Sequence, residues 1–533
     1  MLLTIALIPA LEQLAPRLRL VDVPGGRKQH ARLTPRVGGL AMAVGFFAAA
    51  WIALPVDRTV VSVLAALFLL VVFGAWDDRI DINYRLKFLG QFVAALIAVF
   101  GGDLYFNEVQ LPGSAFVPEI AWKLVSVLFL VGVTNAVNLT DGLDGLAGGL
   151  CLLILGATAA LGLSSGEGAA ASAATLLALA AIGSLLGFLR FNSHPARIFM
   201  GDAGSQFLGF AAAALAIYVT QSESLAVSGM LPLLIIGLPI YDTLSVMVRR
   251  LLSGRSPFKP DRLHVHYRLT ELGISHPAAV MIVYAMQAAL IALAYLLRYS
   301  SDATIVAAFL SFAAMTELVL LAAERGHGRR SLAALGDAVG ALSSTASRGA
   351  AFAVVRVLAA LYLGLLVITA GFVAEAQGAD IAVLAACAAL GMLLVPLTDR
   401  RDLSAWASRL FLYTTVAVTV YMLYATAADN ADQTHLLPLL PLVPLVFAGF
   451  LFADGASLRL SPLDFLLLFF LFALPNLPGV PVLTNLQKQA LLCLLFCYYA
   501  VEMAISARGL HLFVMRALMI GGLVVTLTKT LLS

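Results

Sequence analysis

Charge is scarce in this 533-residue chain: Asp, Glu, Lys and Arg together make up 12% of it, against 61% hydrophobic residues. That is too little charge to clothe a water-soluble domain of this size. The net charge of +3 is small, and the basic residues fall in short loops instead of along one continuous face. Nucleic-acid binding is therefore not expected. Cysteine is also rare. Cys151, Cys387, Cys493 and Cys497 all lie inside apolar runs, which excludes a disulfide framework and a cysteine zinc site. The first twenty residues have neither a basic start nor a small-residue cleavage pattern, so no cleavable signal is expected.

What the chain does have is apolar runs of membrane-crossing length, and a mean hydropathy of +0.96. These unbroken runs differ from the alternation of an outer-membrane barrel. The expected fold class is all-α, a polytopic transmembrane helical protein. About eleven spans fall near 2–20, 36–54, 59–76, 86–101, 121–138, 146–164, 170–189, 204–220, 225–247, 279–297 and 302–323. The first is poor, because it holds Pro9, Glu12 and Pro16. Residues 326–349 are polar and small and read as a linker. Residues 350–533 carry about six or seven more apolar runs of no assigned role. The expected division is thus a membrane core at 1–325, a linker at 326–349 and a C-terminal membrane region at 350–533.

Segments 17–36, 79–87, 190–197 and 249–268 carry Arg and Lys, whereas 102–120 and 221–224 carry none. The alternation places the basic loops in the cytoplasm and the amino terminus outside.

Five polar segments interrupt the apolar pattern on that cytoplasmic side: "DVPGGRKQHARLTPRVGG" (22–39), "WDDRIDINYRLK" (76–87), "NLTDGLDG" (138–145), "FNSHPARIFMGDAGS" (191–205) and "DRLHVHYRL" (261–269). Taken singly, each has an ordinary reading: Asp81 or Asp202 as a helix cap, Asp77 and Asp78 as a solvated pair, His264 and His266 as loop residues. Together they put several carboxylates at the edge of the hydrocarbon region, where charge is costly and marks function. Asp141 and Asp144, three apart, would share a face if the next helix began there. Aspartates and asparagines suit a hard cation such as Mg²⁺, and neighbouring Lys and Arg suit an anion. Carboxylates, a hard metal and basic loops are the inventory of phosphoryl transfer. An alternative of another class is a secondary transporter that couples ions through Asp141 and Asp144. Clustering at one membrane face, not at mid-membrane, speaks against it.

In this order and spacing the five segments resemble the polyprenyl-phosphate N-acetylhexosamine-1-phosphate transferases, glycosyltransferase family 4, over roughly residues 20–325. "NLTDGLDGLAGG" and "FMGDAGS" are the most specific parts of the match. The resemblance implies that a polyprenyl phosphate attacks the β-phosphorus of a UDP-sugar, releasing UMP and starting an envelope or surface glycan such as O-antigen lipopolysaccharide. It implies Mg²⁺, with Mn²⁺ as its substitute, and a multi-pass protein of the bacterial inner membrane with its active site facing the cytoplasm. Residue by residue, Asp77 matches a proposed base and Asp78 its partner. Asp202 matches a metal ligand, and Asn138, Asp141 and Asp144 match positions at the metal and nucleotide. Asn192 and Phe199 match the uridine pocket, Lys87 a lysine near the diphosphate, and His264 and His266 an activity-linked histidine loop. Lys28 and His30 are weaker matches. Tyr267 stands where a further histidine commonly occurs, and the "HVHY" form is more like the GlcNAc-1-phosphate branch than the phospho-MurNAc-pentapeptide transferases, the alternative within the family. A homodimer and glycan-assembly partners for the C-terminal region are further expectations.

Overall fold

A computed structural model describes residues 1–22, 33–53, 57–107, 109–111, 117–164, 169–221, 227–254, 256 and 263–325, plus short helical pieces at 367, 386–390, 411–412, 414–416, 418–422, 519–521 and 523–524. The chain divides into two compact units, the first comprising Met1–Gly340 with Ser461–Phe470 and Asn476–Pro481. The expected linker and nearly all of the C-terminal region lie outside the described residues.

The first unit is helical. Its helices are α1 (Leu2–Leu18), α2 (Gly38–Ala53), α3 (Arg58–Ile80), α4 (Tyr84–Leu96, continued by a π-helical turn Ile97–Gly101), α5 (Glu119–Thr140), α6 (Leu146–Ser164), α7 (Ala169–Asn192), α8 (Gly201–Thr220), α9 (Pro232–Ile235), α10 (Gly237–Leu252), α12 (His276–Leu297) and α13 (Asp302–Glu324). The short α11 (Val265–Glu271) lies between α10 and α12. Among the described residues, eight helices are long and apolar enough to cross a membrane. The run expected at 225–247 is instead broken at Ile236 into α9 and α10. A two-stranded hairpin, β1 (Val21–Asp22) with β2 (Thr34–Pro35), is the one β element among the described residues.

Helix ends follow from local chemistry. Asp57 caps α3 by accepting from Val60 N at 2.7 Å, and α3 stops where Asp81 turns left-handed, with φ 54°. Asn83 then caps α4 through Arg85 N at 3.1 Å. On α3, Phe68, Val72, Trp76 and Ile80 recur every four residues and are exposed, which makes a stripe fit for lipid. Leu67, Leu70 and Gly74 face inward.

The bundle is organised around α8. Every residue from Ala203 to Thr220 is buried, and α2, α3, α5, α6 and α7 pack around it. Small side chains make this possible, since lipid tails supply no hydrophobic drive between helices and close backbone packing must hold them together. At Gly74 of α3, an added Cβ would lie 2.4 Å from Ala203 Cα. That contact brings the end of α3 directly against the start of α8.

Candidate active site

The polar groups gather at one end of the first unit, where α3, α5 and α7 end and α4 and α8 begin. Asp77 and Asp78 sit on the last turn of α3. Asp77 Oδ1 accepts from Ile82 N at 2.9 Å, and Oδ2 lies 3.1 Å from Lys87 Nζ. Lys87, on the first turn of α4, also donates to Asp202 and stands 3.4 Å from Asn138 Oδ1. Asn138 in turn donates to Asp202 Oδ1 at 2.5 Å and to Ser205 Oγ at 2.7 Å. One ammonium group therefore links carboxylates that are 125 residues apart in sequence.

Asp78 is used differently. Its Oδ1 accepts from Asp202 N at 2.8 Å and its Oδ2 from Ala203 N at 3.0 Å. It caps α8 from another helix, taking up two of the amides that a helix start leaves unpaired. Gly201, at φ 67°, makes room for this, because a Cβ there would overlap both Asp78 carboxylate oxygens.

Residues 141–145 form a turn, with α6 beginning only at Leu146, so Asp141 and Asp144 do not share a helix face. The turn separates their roles. Asp141 opens on one side to solvent but is otherwise enclosed by protein, and that enclosure, with the charges of Asp202, Asp78 and Asp144, pushes its carboxyl up to about 7. Asp144 lies below the ordinary range. Partial burial works the other way, but His194 Nδ1 at 2.8 Å and Ala196 N at 3.0 Å outweigh it.

Asn192 braces this turn, accepting from Gly145 N at 3.0 Å and donating to Ile198 O at 2.9 Å. Phe199 is half-buried, and its backbone pairs with Pro35 O at 2.8 Å and Gly38 N at 3.0 Å, tying the segment before α8 to β2 and α2. His266 is buried against Gly142, and its Nε2 has no hydrogen-bond partner among the described residues. Burial pulls the His266 ring down to about 4. His264 stacks near it, with ring centroids 5.9 Å apart. Lys28 and His30 lie outside the described residues.

Among the described residues, one group brings its ligand atoms close enough together to hold a metal ion. Asp144, His194 and His276 offer ligand atoms within 4.8 Å of one another. The two rings stack at 4.3 Å and 29°, and His194 Nδ1 and Ala196 N already hold Asp144 Oδ2, which ties the 141–145 turn to the segment after α7. The carboxylates of Asp141 and Asp202 offer an all-oxygen donor set that suits Mg²⁺, and Asp202 is among the charges that raise the Asp141 carboxyl.

Three residues were given no role by the sequence: Asp242 beside His264, and the two histidines His194 and His276. A lone carboxylate within the apolar run 225–247 was the available sign for Asp242. His194 lies in the 191–205 segment and His276 at the start of α12, with nothing in the sequence to join them until the chain folds.

The glycosyl transferase family 4 model matches residues 60–220, the stretch that supplies most of this site. The chain is 35% identical over 288 residues to a Bacillus subtilis protein described as a probable undecaprenyl-phosphate N-acetylglucosaminyl 1-phosphate transferase, covering 53% of this chain and 79% of the relative. The chain belongs to glycosyl transferase family 4. A Mycobacterium leprae decaprenyl-phosphate N-acetylglucosaminephosphotransferase is 34% identical over 299 residues, covering 51% of this chain and 75% of that family member. A Yersinia pestis undecaprenyl-phosphate alpha-N-acetylglucosaminyl 1-phosphate transferase is 33% identical over 300 residues, with 55% and 80% covered. The stretch that the family model matches lies within the first unit.

Proposed function

We propose that this chain is a phosphotransferase that moves N-acetylglucosamine 1-phosphate from a UDP-sugar to a polyprenyl phosphate, at the cytoplasmic face of a bacterial plasma membrane. An oxygen of the lipid phosphate bonds to the β-phosphorus of the UDP-sugar. The bond from that phosphorus to the bridging oxygen breaks, and UMP leaves with the electron pair. The product, a polyprenyl-diphosphate sugar, would start an envelope or surface polysaccharide.

The observation that carries the reading is the meeting of Asp77, Lys87, Asn138 and Asp202 at one bundle end, with Asp141 beside them. Two anionic substrates must approach there, and positioning with charge compensation is most of what phosphoryl transfer needs. Mg²⁺, held by Asp202 and Asp141, would offset the charge that grows on the departing UMP. Lys87 keeps Asp77 and Asp202 together despite their like charge, and Asn138 fixes the Asp202 carboxylate. Asp78 works one step back by anchoring the start of α8. Asp77 is a positioning group here and not a base, because a phosphate monoester is already largely ionised near pH 7.

The basic residues support the sidedness. Among the described residues of the first unit, Arg58, Lys123 and Arg298 lie at the end away from the site, each tied to local partners. Arg17, Arg19, Arg36, Arg79, Arg85, Lys87, Arg190, Arg197, Arg249, Arg250 and Arg268 lie at the site end.

The test is UMP release by the purified protein with Mg²⁺, undecaprenyl phosphate and UDP-N-acetylglucosamine, with the lipid product identified by mass. Turnover of UDP-MurNAc-pentapeptide in place of UDP-N-acetylglucosamine would reassign the sugar. No UMP from either, with the protein folded, would refute the reaction.

A further inference from the structure

Asp242 belongs to none of the five polar segments, yet it holds one of them in place. It lies in the second turn of α10, 3% exposed, inside an otherwise apolar stretch. Its Oδ2 stands 2.9 Å from His264 Nδ1, and its Oδ1 accepts from Val265 N at 2.7 Å. His264 itself is 5% exposed, so the pair is shielded from water on both sides. A buried carboxylate with both oxygens engaged is not idle, since leaving it unpaired would be costly.

We infer that Asp242 is the positioning residue for His264: it fixes the ring's orientation and tautomer so that Nε2 is the nitrogen left to meet the substrates' phosphate groups. The inference rests on the transferase reading above. The chemistry follows from the donor and acceptor inventory. An ionised carboxylate only accepts, so the proton between the two side chains resides on His264 Nδ1. Nε2 then carries the lone pair and is the end of the ring that Asp242 leaves unengaged. The second oxygen of Asp242, bonded to Val265 N, prevents the carboxylate from rotating away. The His266 ring lies nearly parallel to His264, at 15° with centroids 5.9 Å apart. His266 in turn rests on Gly142, so the histidine segment is seated against the 141–145 turn that bears Asp141 and Asp144.

A purely structural role is the competing account, with Asp242 serving only to cap the seven-residue α11 through Val265 N. Asp242→Asn separates the two. Its amide oxygen can still accept from Val265 N, so the cap survives. Its amide nitrogen must then face His264 Nδ1 as a donor, which drives the ring proton to Nε2 and leaves no room for a second proton at Nδ1.

The experiment uses the full-length protein in detergent with ¹⁵N-labelled histidine, and His264 is assigned by its loss in His264→Gln. The wild type should show His264 protonated at Nδ1 and bare at Nε2, and Asp242→Asn should show the reverse. The kcat for UMP release should fall about 100-fold or more in Asp242→Asn, the scale of a lost acid–base or orienting group. KM for the UDP-sugar should stay within about threefold. A wild-type His264 with its proton on Nε2, or an Asp242→Asn enzyme within about threefold of wild-type kcat, would overturn the inference. Should the variant fail to fold, the wild-type spectrum alone decides. A wild type that releases no UMP counts against the transferase reading instead, and the spectrum still decides the role of Asp242.

Discussion

Asp78 on α3 accepts from the backbone N–H groups of both Asp202 and Ala203, so the first turn of α8 is capped by a side chain 124 residues earlier in the chain. The "DD" pair therefore divides its labour. Asp77 faces Lys87, and Asp78 faces the backbone of α8. Asp78→Ala should lower stability by about 1–2 kcal/mol, the worth of a good cap. It should also weaken Mg²⁺ binding, because Asp202 rides on that turn. Thermal unfolding and a Mg²⁺ titration on the same preparation check both. An unchanged melting temperature would mean that the two amides find other partners.

The Asp77–Lys87–Asp202 bridge makes a graded prediction. Asp202→Asn should lower UMP release by at least about 100-fold, since it removes a carboxylate proposed to hold the Mg²⁺ that would offset the leaving group's charge. Asp77→Asn should cost much less if Asp77 positions rather than accepts a proton. Lys87→Met leaves Asp77 and Asp202 facing each other without a cation, and should lower both turnover and thermal stability. Equal losses from Asp77→Asn and Asp202→Asn would restore the base assignment for Asp77.

His266 provides a pH test. Its folded ring takes a proton only near 4, whereas an unfolded histidine does so at 6.5. Below 6.5 the unfolded chain binds the extra proton, so the stability this group contributes is complete above 6.5 and is lost as pH falls towards 4. The full loss is about 3 kcal/mol, from roughly 1.4 kcal/mol per pH unit. Melting temperatures between pH 7.5 and 4.5 should fall less steeply in His266→Gln than in wild type. Parallel curves would show that the ring is not shielded as described.

Gly201 tests the backbone. Alanine there must adopt φ 67° and crowd the Asp78 carboxylate, so Gly201→Ala should cost about 1–3 kcal/mol and reduce Mg²⁺ affinity together with stability. Gly254, also at positive φ but with open space around it, is the control. Gly254→Ala should lower the melting temperature far less and leave Mg²⁺ binding unchanged.

The membrane core was legible because span length and the Asp, Asn and Gly punctuation are sequence properties. Apolar runs such as 59–76 and 204–220 became α3 and α8 within a few residues, and the polar ends of those runs became the site. Partnership was not legible. Spacing placed Asp77 beside Asp78 but could not show that one would face a lysine and the other a helix start, since that depends on Gly74 letting α3 approach α8. Asp141 and Asp144 would share a face only on a helix begun before Leu146; α6 starts at Leu146 as its apolar run indicates, and Asn192, from another helix, holds Gly145 N in the turn before it. Asp242 stayed invisible for a related reason: its meaning comes from His264, 22 residues away in sequence.

The enclosure of α8 has a consequence for the environment in which this protein works. With every residue from Ala203 to Thr220 walled off by neighbouring helices, no part of that stretch touches acyl chains. Changes in bilayer thickness or headgroup mixture act first on exposed helices such as α3 and α4, which can tilt to follow the lipid. The strut that carries Asp202 is cushioned from them, so turnover should stay nearly constant when the purified protein is moved between thin and thick synthetic bilayers.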